Sequence, residues 1–166
     1  MSDLIEKARE GELSAFEQLF EQSGATSALL DAKDEYNQST PLHMAAANGH
    51  VEVLEYILSH IDEQEKLKFI NAQNSSGNTA LHWACLTGSF PAVKLLVENG
   101  ADPLVQNKAG QDSIFQADAC GQEESVNYML SKIDIDASEA VNGAIDEVDE
   151  GDEGNEGEQA AASEEF

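Results

Sequence analysis

The side chains best suited to chemistry in this sequence are its four histidines and two cysteines. His43 and His82 could each act as a general base, but an enzyme also needs a nucleophile and a stabilising group at the same place. Cys85 and Cys120 stand 35 residues apart, form no C-x-x-C pair and match no paired-histidine spacing of a zinc site. From these patterns we expect neither an enzyme nor a metal centre.

The sequence also lacks the loop patterns that bind calcium or phosphate. The calcium loop D-x-D-x-D-G, with glutamate at its twelfth position, fails at residues 152–157, DEGNEG, where glycine stands third and Ser163 stands twelfth. No glycine-rich phosphate loop is present, and the glycines are instead placed as turn residues. We therefore expect no cofactor.

The charge of the chain restricts its partners. Its 166 residues carry a formal net charge of -25 at pH 7, with 20 acidic and 7 basic residues in 1–131 and 13 acidic and 1 basic residue in 132–166. So acidic a protein repels nucleic acid and anionic membranes and attracts basic proteins. The N-terminal MSDLIEKARE is not a signal peptide, and no apolar stretch reaches the roughly 18 residues of a membrane span. We expect a soluble intracellular protein with free thiols.

The chain is built from repeats. Residues 39–58, STPLHMAAANGHVEVLEYIL, align with residues 78–97, NTALHWACLTGSFPAVKLLV. A third copy, QDSIFQADACGQEESVNYML at 111–130, follows 33 residues after the second, and a degenerate copy occupies 3–20. Recurrence at such a spacing is the signature of a solenoid of stacked units.

Each copy is predicted to form two short helices around a glycine. The first helix begins after a side chain that can accept hydrogen bonds from its first turn, and it ends where the chain must turn sharply. The second helix carries an apolar stripe at i, i+3 and i+4. The capping residues are Thr40, Thr79 and Asp112, the turn glycines are Gly49, Gly88 and Gly121, and the stripes begin at Leu54, Val93 and Val126.

TPLHMAAANGH and ENGADPLVQNKAGQD resemble the ankyrin repeat, with its T-P-L-H, A-x-x-G-H and G-A-D elements. The resemblance covers residues 1–131 and implies an all-α solenoid of about four helix pairs, the first of them an N-terminal cap. It also implies that His43 and His82 hydrogen-bond the hairpin backbone. The third full copy departs from the pattern with Ile114-Phe115 in place of Leu-His.

Two segments lie outside the repeat pattern. The linker SHIDEQEKLKFINAQN is about six residues longer than a standard one, and we expect it to lengthen a helix or loop on the outer side. Residues 132–166 are acidic, spotted with glycine and nearly free of aromatic residues, so we predict a disordered tail.

The resemblance places a groove on the inner face of the stack. In L-H-x-A the leucine and alanine point into the stack, whereas x and the residue one turn later lie on the concave, exposed side. An ordinary surface would not place Met, Trp and Leu in adjacent repeats, and Trp is enriched at binding hot spots. The predicted groove floor consists of Met44, Ala47, Trp83, Leu86, Gln116 and Ala119.

Carboxylates are expected around this groove. An apolar groove with acidic rims complements a basic amphipathic helix. The simpler alternatives are that Trp83 folds back onto its neighbours as packing, and that each single carboxylate is a solvated surface charge. The predicted rim consists of Asp34, Glu35, Asp112 and Asp118, with Glu10 and Glu12 at the cap.

The resemblance is deeper for one branch of the ankyrin proteins. LHMAAANGH, GNTALHWAC and NKAGQDSIFQA, with the acidic tail, are similar to the ankyrin-repeat chaperones, known from yeast, of the third small-subunit ribosomal protein, a KH-domain protein. The resemblance implies a dedicated escort that binds this basic ribosomal protein through an amphipathic N-terminal helix, keeps it soluble and releases it to the nascent subunit. It also implies work in both cytoplasm and nucleus.

Two other functions share parts of this pattern. One is a regulatory adaptor or inhibitor, because ankyrin stacks serve many unrelated partners. Its complexes with a neutral surface would resist salt, whereas a complex with a ribosomal protein would weaken steeply. The other is an acidic histone carrier, whose complexes would weaken with salt in the same way, so only the identity of the partner distinguishes it from a ribosomal-protein chaperone. In each case we expect a monomer without direct contacts to nucleic acid or membrane, because four units exceed the usual minimum of about three.

Overall fold

The structure is a computed structural model that describes the backbone of residues 3–23 and 26–141 and the side chains of these ranges as far as residue 133. Within them, all regular secondary structure is α-helical. The helices are α1 (Asp3–Glu10), α2 (Leu13–Ser23), α3 (Thr26–Asp31), α4 (Pro41–Asn48), α5 (Val51–Ser59), α6 (Glu63–Ile70), α7 (Ala80–Thr87), α8 (Phe90–Glu98), α9 (Ser113–Ala119) and α10 (Glu123–Val141).

Eight of these helices form two stacked layers. The first helices of the repeats pack against one another in the order α1, α4, α7, α9, and the second helices pack in the order α2, α5, α8, α10. The core runs between the layers, because the apolar stripe of each second helix meets the small residues of its first helix. Its fully buried members include Leu54, Ile57, Leu81, Ala84 and Leu96. The predicted all-α solenoid of four helix pairs is confirmed.

Two of the three predicted capping side chains accept a hydrogen bond from the first turn of their helix, whereas Thr40 makes no side-chain cap bond to α4. Thr79 Oγ1 accepts from the backbone N–H of His82 at 3.5 Å, and Asp112 Oδ1 accepts from a first-turn N–H of α9 at 2.8 Å. Gly49 and Gly88 end α4 and α7 at φ 70° and 76°. This left-handed backbone costs glycine no steric energy, so the chain can reverse directly into the second helix.

Hairpins at residues 34–39, 74–78 and 107–111 separate the repeats. They are joined edge to edge, because Ser75 N donates to Asn37 O at 2.8 Å and Lys108 N donates to Ser76 O at 3.0 Å. The first hairpin is one residue longer, and it holds Gln38 at φ 58°, the single non-glycine residue of the described chain with positive φ. The ladder of hairpins extends one side of the stack.

The long linker contributes a helix of its own. We expected a lengthened helix or loop on the outer side, and the structure forms the separate helix α6, which buries Phe69 and Ile70. Leu67 of α6 lies over Gly100, where a Cβ would come within 2.5 Å of its Cδ2. The added residues therefore cover the end of α8 in the outer layer.

The last helix, α10, runs ten residues past position 131, where we placed the end of the repeat domain. The rest of the predicted disordered tail, residues 142–166, lies outside the described residues. None of the described helices combines the length and the apolar composition needed to cross a bilayer.

Replacing Gly77 by alanine should disrupt the hairpin ladder. Both Gly77 and Gly110 have positive φ, but a Cβ on Gly77 would lie 2.7 Å from the backbone N of Lys108, whereas a Cβ on Gly110 would meet no described residue within 4 Å. Each alanine meets a left-handed backbone that costs about 1–2 kcal/mol, and Gly77→Ala should lose about 1–3 kcal/mol more by overpacking.

Urea unfolding of the Gly77→Ala and Gly110→Ala proteins measures the difference directly. Gly110→Ala is the matched control, because it shares the backbone conformation and lacks the close contact. Equal unfolding free energies would contradict the role assigned to the hairpin contact.

Candidate functional site

Two buried histidines fix the geometry of the inner face. His43 Nδ1 accepts from the backbone N–H of Thr40 at 3.2 Å, and its Nε2 donates to the carbonyl of Asn78 in the next hairpin at 3.0 Å. His82 repeats the arrangement with Thr79 and the carbonyl of Gln111, at 3.1 and 3.0 Å. Because Nδ1 accepts from an amide, Nε2 must carry the proton in both rings. The predicted structural role of these histidines is confirmed.

The burial of these rings removes them from acid–base chemistry. His43 has no exposed surface, and burial lowers its pKa to about 4. Burial also lowers the pKa of His82, partly offset by its hydrogen bond to Gln111. A ring enclosed on all sides cannot reach a substrate, so the two histidines position elements and leave recognition to neighbouring side chains.

Trp83 and Leu86 stand together on the inner side of α7. Leu86 is 46% exposed, and Trp83 is partly buried, with its ring packed against the core. The indole Nε1 is enclosed and has no hydrogen-bond partner among the described residues. Trp83 thus has both of the roles considered from the sequence, because part of its ring packs against the core and part is open to a partner.

Met44 is a correction to the predicted groove floor. We expected it on the open surface, but only 8% of it is exposed and it belongs to the core. The guanidinium of Arg9 covers it, with Nη2 3.6 Å from the Met44 sulfur. Arg9 occupies in α1 the position that Ala47 and Leu86 occupy in α4 and α7, so it closes the floor at the cap end with a positive charge.

The remaining predicted floor residues are small or polar. Ala47 and Gln116 are partly buried, and Ala119 is exposed at the end of α9. Gln116 Nε2 lies 3.8 Å from the sulfur of Cys120. The apolar part of the inner face is therefore centred on Trp83 and Leu86 and does not extend along all the repeats.

The predicted acidic rim divides into structural and free carboxylates. Asp34 is a correction, because it is only 3% exposed and its Oδ1 accepts from the backbone N–H groups of Tyr36 and Asn37. Asp112 is partly buried and engaged as the cap of α9. Glu35 and Asp118 are exposed as expected and remain available to a basic partner.

The cap end of the inner face is less negative than the sequence suggests. Lys7 Nζ lies 2.6 Å from Glu10 and 3.2 Å from Glu12, and these bonds raise the pKa of Lys7. At the tip of the first hairpin, Tyr36 is 83% exposed beside Glu35. Neither Arg9 nor Tyr36 was predicted as a site residue, although the register of α1 with α4 places Arg9 on the inner face.

The cysteines have the surroundings expected from their positions. Cys85 is fully buried inside α7, and burial raises the pKa of its thiol to about 12. Cys120 is exposed, and both are free thiols. In the part of the chain that the structure describes, no three His, Cys, Asp or Glu side chains are grouped to hold a metal ion.

Stacked helix pairs, histidine-linked hairpins and a recessed inner face define a helical-repeat binding protein. The family model of ankyrin repeats, in three copies, matches residues 4–107 and 69–139. The chain belongs to the ankyrin-repeat family.

Two fungal proteins are similar over most of the chain. The ankyrin repeat-containing protein YAR1 of Saccharomyces cerevisiae is 41% identical over 138 residues, which are 80% of this chain and 69% of YAR1. The ankyrin repeat-containing protein P16F5.05c of Schizosaccharomyces pombe is 34% identical over 130 residues, which are 78% of this chain and 84% of that protein.

A solved structure has the same fold. It is the crystal structure of the yeast ribosomal protein Rps3 in complex with its chaperone Yar1, and it matches with a TM-score of 0.74 and 42% sequence identity. The match covers 78% of this chain and 90% of that chain.

The buried histidines should make the protein sensitive to acid. In the unfolded chain His43 titrates near its ordinary pKa of 6.5, but in the folded state its pKa is about 4. Between these values the unfolded state binds more protons, so the unfolding free energy falls as the pH falls from 6.5 to 4. The loss of unfolding free energy over this range is about 3 kcal/mol for His43, and the lowered pKa of His82 adds to the loss in the same direction.

Urea midpoints measured from pH 7 to pH 4 for the native chain and His43→Gln test this expectation. The variant should have the lower urea midpoint at pH 7. The difference between the two midpoints should become smaller toward pH 4, because glutamine does not titrate and only the native chain loses stability through His43. The many carboxylates are common to both proteins, so their contribution cancels. A gap that stayed constant with pH would contradict the assignment.

Proposed function

We propose that this protein is a dedicated chaperone of a free ribosomal protein, the counterpart of Rps3. The observation that carries the proposal is its 41% identity with YAR1 over 80% of the chain, together with the matching structure of Rps3 bound to its chaperone Yar1. The similarity covers about four fifths of this chain in both comparisons. In this role the chain binds its client before the client joins the small subunit.

The charge of the protein suits such a client. A ribosomal protein without its RNA carries positive charge that no phosphate neutralises. The chain has a formal net charge of -25, and the carboxylates of Glu35 in the first hairpin and Asp118 in α9 are exposed. Opposite charges speed the encounter of the two proteins and keep the client from binding unrelated RNA.

The apolar part of the inner face suits an amphipathic helix of the client. Leu86 and the open part of Trp83 present a small apolar patch bordered by polar side chains. A helix with an apolar stripe and basic flanks would cover this patch and place its charges near the carboxylates. We propose the N-terminal helical segment of the client as the ligand of this patch.

The proposed role needs no catalytic group, cofactor or nucleotide. Release follows when ribosomal RNA, whose charge density exceeds that of this protein, competes for the basic surface of the client. We also propose that a monomer of the chaperone accompanies its client through both cytoplasm and nucleus.

The lone tryptophan provides the first test. Trp83 is the only tryptophan in the chain, so its fluorescence reports on the inner face alone. Titration with the N-terminal helical segment of Rps3 should give a saturable blue shift of the Trp83 emission. The affinity should fall as salt is raised from 50 to 500 mM, because salt screens the attraction between opposite charges, over about 10 Å at 0.1 M.

An unrelated basic helix of equal charge is the control and should give no saturable shift. A salt-independent complex would favour the adaptor, and binding of histones in preference to Rps3 would favour the histone carrier. Absence of any complex with whole Rps3 would refute the proposed function.

Leu86→Gln should weaken the complex without unfolding the protein. Leu86 is 46% exposed, so the substitution removes little buried area, yet it places a polar group in the centre of the proposed contact. We expect the Kd for the client segment to rise about ten-fold, as at a moderate interface hot spot.

Leu67→Gln is the matched control. Leu67 is 59% exposed and lies on α6 in the outer layer, away from the inner face. Isothermal calorimetry on both variants should show a loss of affinity for Leu86→Gln alone. Equal affinities would remove Leu86 from the contact.

A further inference from the structure

The last repeat ends in a surface that is built like an inter-repeat contact. We call this surface the end face and define it by Gly110, Phe115, Asp118, Gly121 and Leu130. These residues lie on the third hairpin, on α9, on the turn after it and on α10. Each has an equivalent in the preceding repeat, so the two sets can be compared position by position.

The glycines show that the end face is open. A Cβ on Gly77 would lie 2.7 Å from the backbone of the next hairpin, and a Cβ on Gly88 would lie 3.1 Å from the Gln122 side chain. Among the residues that the structure describes, the equivalent positions Gly110 and Gly121 have no neighbour within 4 Å. The slots that receive the following repeat in the middle of the stack are therefore unfilled at its end.

The side chains show the same difference. His82 is 2% exposed because the next hairpin covers it, whereas Phe115 in the equivalent position is 52% exposed. Leu130 in α10 is 44% exposed, whereas its equivalents are Val97 in α8, which is partly buried, and Leu58 in α5, which is 2% exposed. Two large apolar side chains thus stand more exposed on this surface than their counterparts in the preceding repeats.

The side chain of Phe115 distinguishes the end face from the end of an ordinary repeat that only lacks a following neighbour. A histidine in this position could donate its Nε2 proton to the hairpin carbonyl of a following repeat, as His43 and His82 do. Phenylalanine cannot donate a hydrogen bond, and its exposed ring favours burial against an apolar partner. A terminal repeat that only faced water would be expected to carry polar residues here.

We infer that the end face is a second contact surface for the basic client, and this inference rests on the proposed function. Asp118 lies one turn from Phe115, and Glu123 and Glu124 open α10, all of them exposed, so the apolar surface has an acidic border. This combination fits an apolar helix surface flanked by lysine or arginine.

Charge disfavours the other occupants. A second copy of this chain would bring a further charge of -25, and residues 142–166 of the same chain contain ten acidic and no basic residues. Both would place carboxylates against the acidic border, which costs free energy. A basic client is the occupant that the border favours.

The end face continues directly from the inner face. Gln116 on the inner face and Phe115 on the end face are neighbours in α9. A client whose N-terminal helix lies beside Trp83 can therefore place a second helix on the end face. Two linked contacts act together at high effective concentration, so the whole client binds more tightly than its helix alone.

The test compares two ligands and three variants of the full chain. Phe115→Gln and Leu130→Gln should each raise the Kd for whole Rps3 about ten-fold, as expected for an apolar anchor. The same variants should bind the isolated N-terminal helical segment with unchanged affinity, which also shows that they are folded. Leu67→Gln, an exposed leucine on α6, should change neither value.

Several outcomes would overturn the inference. If both end-face variants bind whole Rps3 as the native chain does, the end face is not a client contact, while the proposed function stands. A dimer of the free chain that Phe115→Gln dissolves identifies a second copy as the occupant. Slow hydrogen exchange in residues 142–166 that Phe115→Gln abolishes identifies the chain's own tail. Failure of the native chain to bind Rps3 removes the proposed function itself.

Discussion

The hydrogen bond from a buried histidine to the carbonyl of the next hairpin is the contact on which the rest of the structure depends. His43 and His82 each join the start of a helix to a hairpin 29 to 35 residues further along the chain. Each repeat contacts only its neighbours, so the contacts between adjacent repeats determine the geometry of the whole stack. The histidines therefore tie α4 and α7 to the hairpins that follow them, beside the backbone bonds that join neighbouring hairpins.

The inner face shows how this scaffold separates rigidity from recognition. Polar groups that could bind a partner are instead used internally at Asp34 and Asp112, which hold a hairpin and a helix start. What remains free is Leu86, part of Trp83 and a few carboxylates. The enclosed indole Nε1 of Trp83 has no acceptor among the described residues, and a buried polar group left without a partner costs about 1–3 kcal/mol. The site is thus held in place at some expense of stability.

The repeat pattern predicted most of the fold because it recurs. Thr79, Asp112 and the turn glycines could be assigned from spacing, and each had the predicted role in the structure. The site was harder to predict, because exposure depends on contacts between units. Met44 is covered by Arg9 from the degenerate cap, and Asp34 turns inward in a hairpin that is one residue longer than the others. The separate helix α6 lies in a linker for which the repeat offers no template.

Phenylalanine at position 115 also bears on how such a chain can change in length. Repeat proteins grow when a unit is duplicated and the copy stacks on its parent. A unit added after α10 would find no imidazole to receive its hairpin, because Phe115 has no N–H to offer the new carbonyl. That carbonyl would keep the bond from within its own hairpin, as Asn78 O and Gln111 O have from Asn74 N and Asn107 N, but it would lack the second bond from the preceding repeat. A unit added at this end would therefore be held less firmly than one added within the stack.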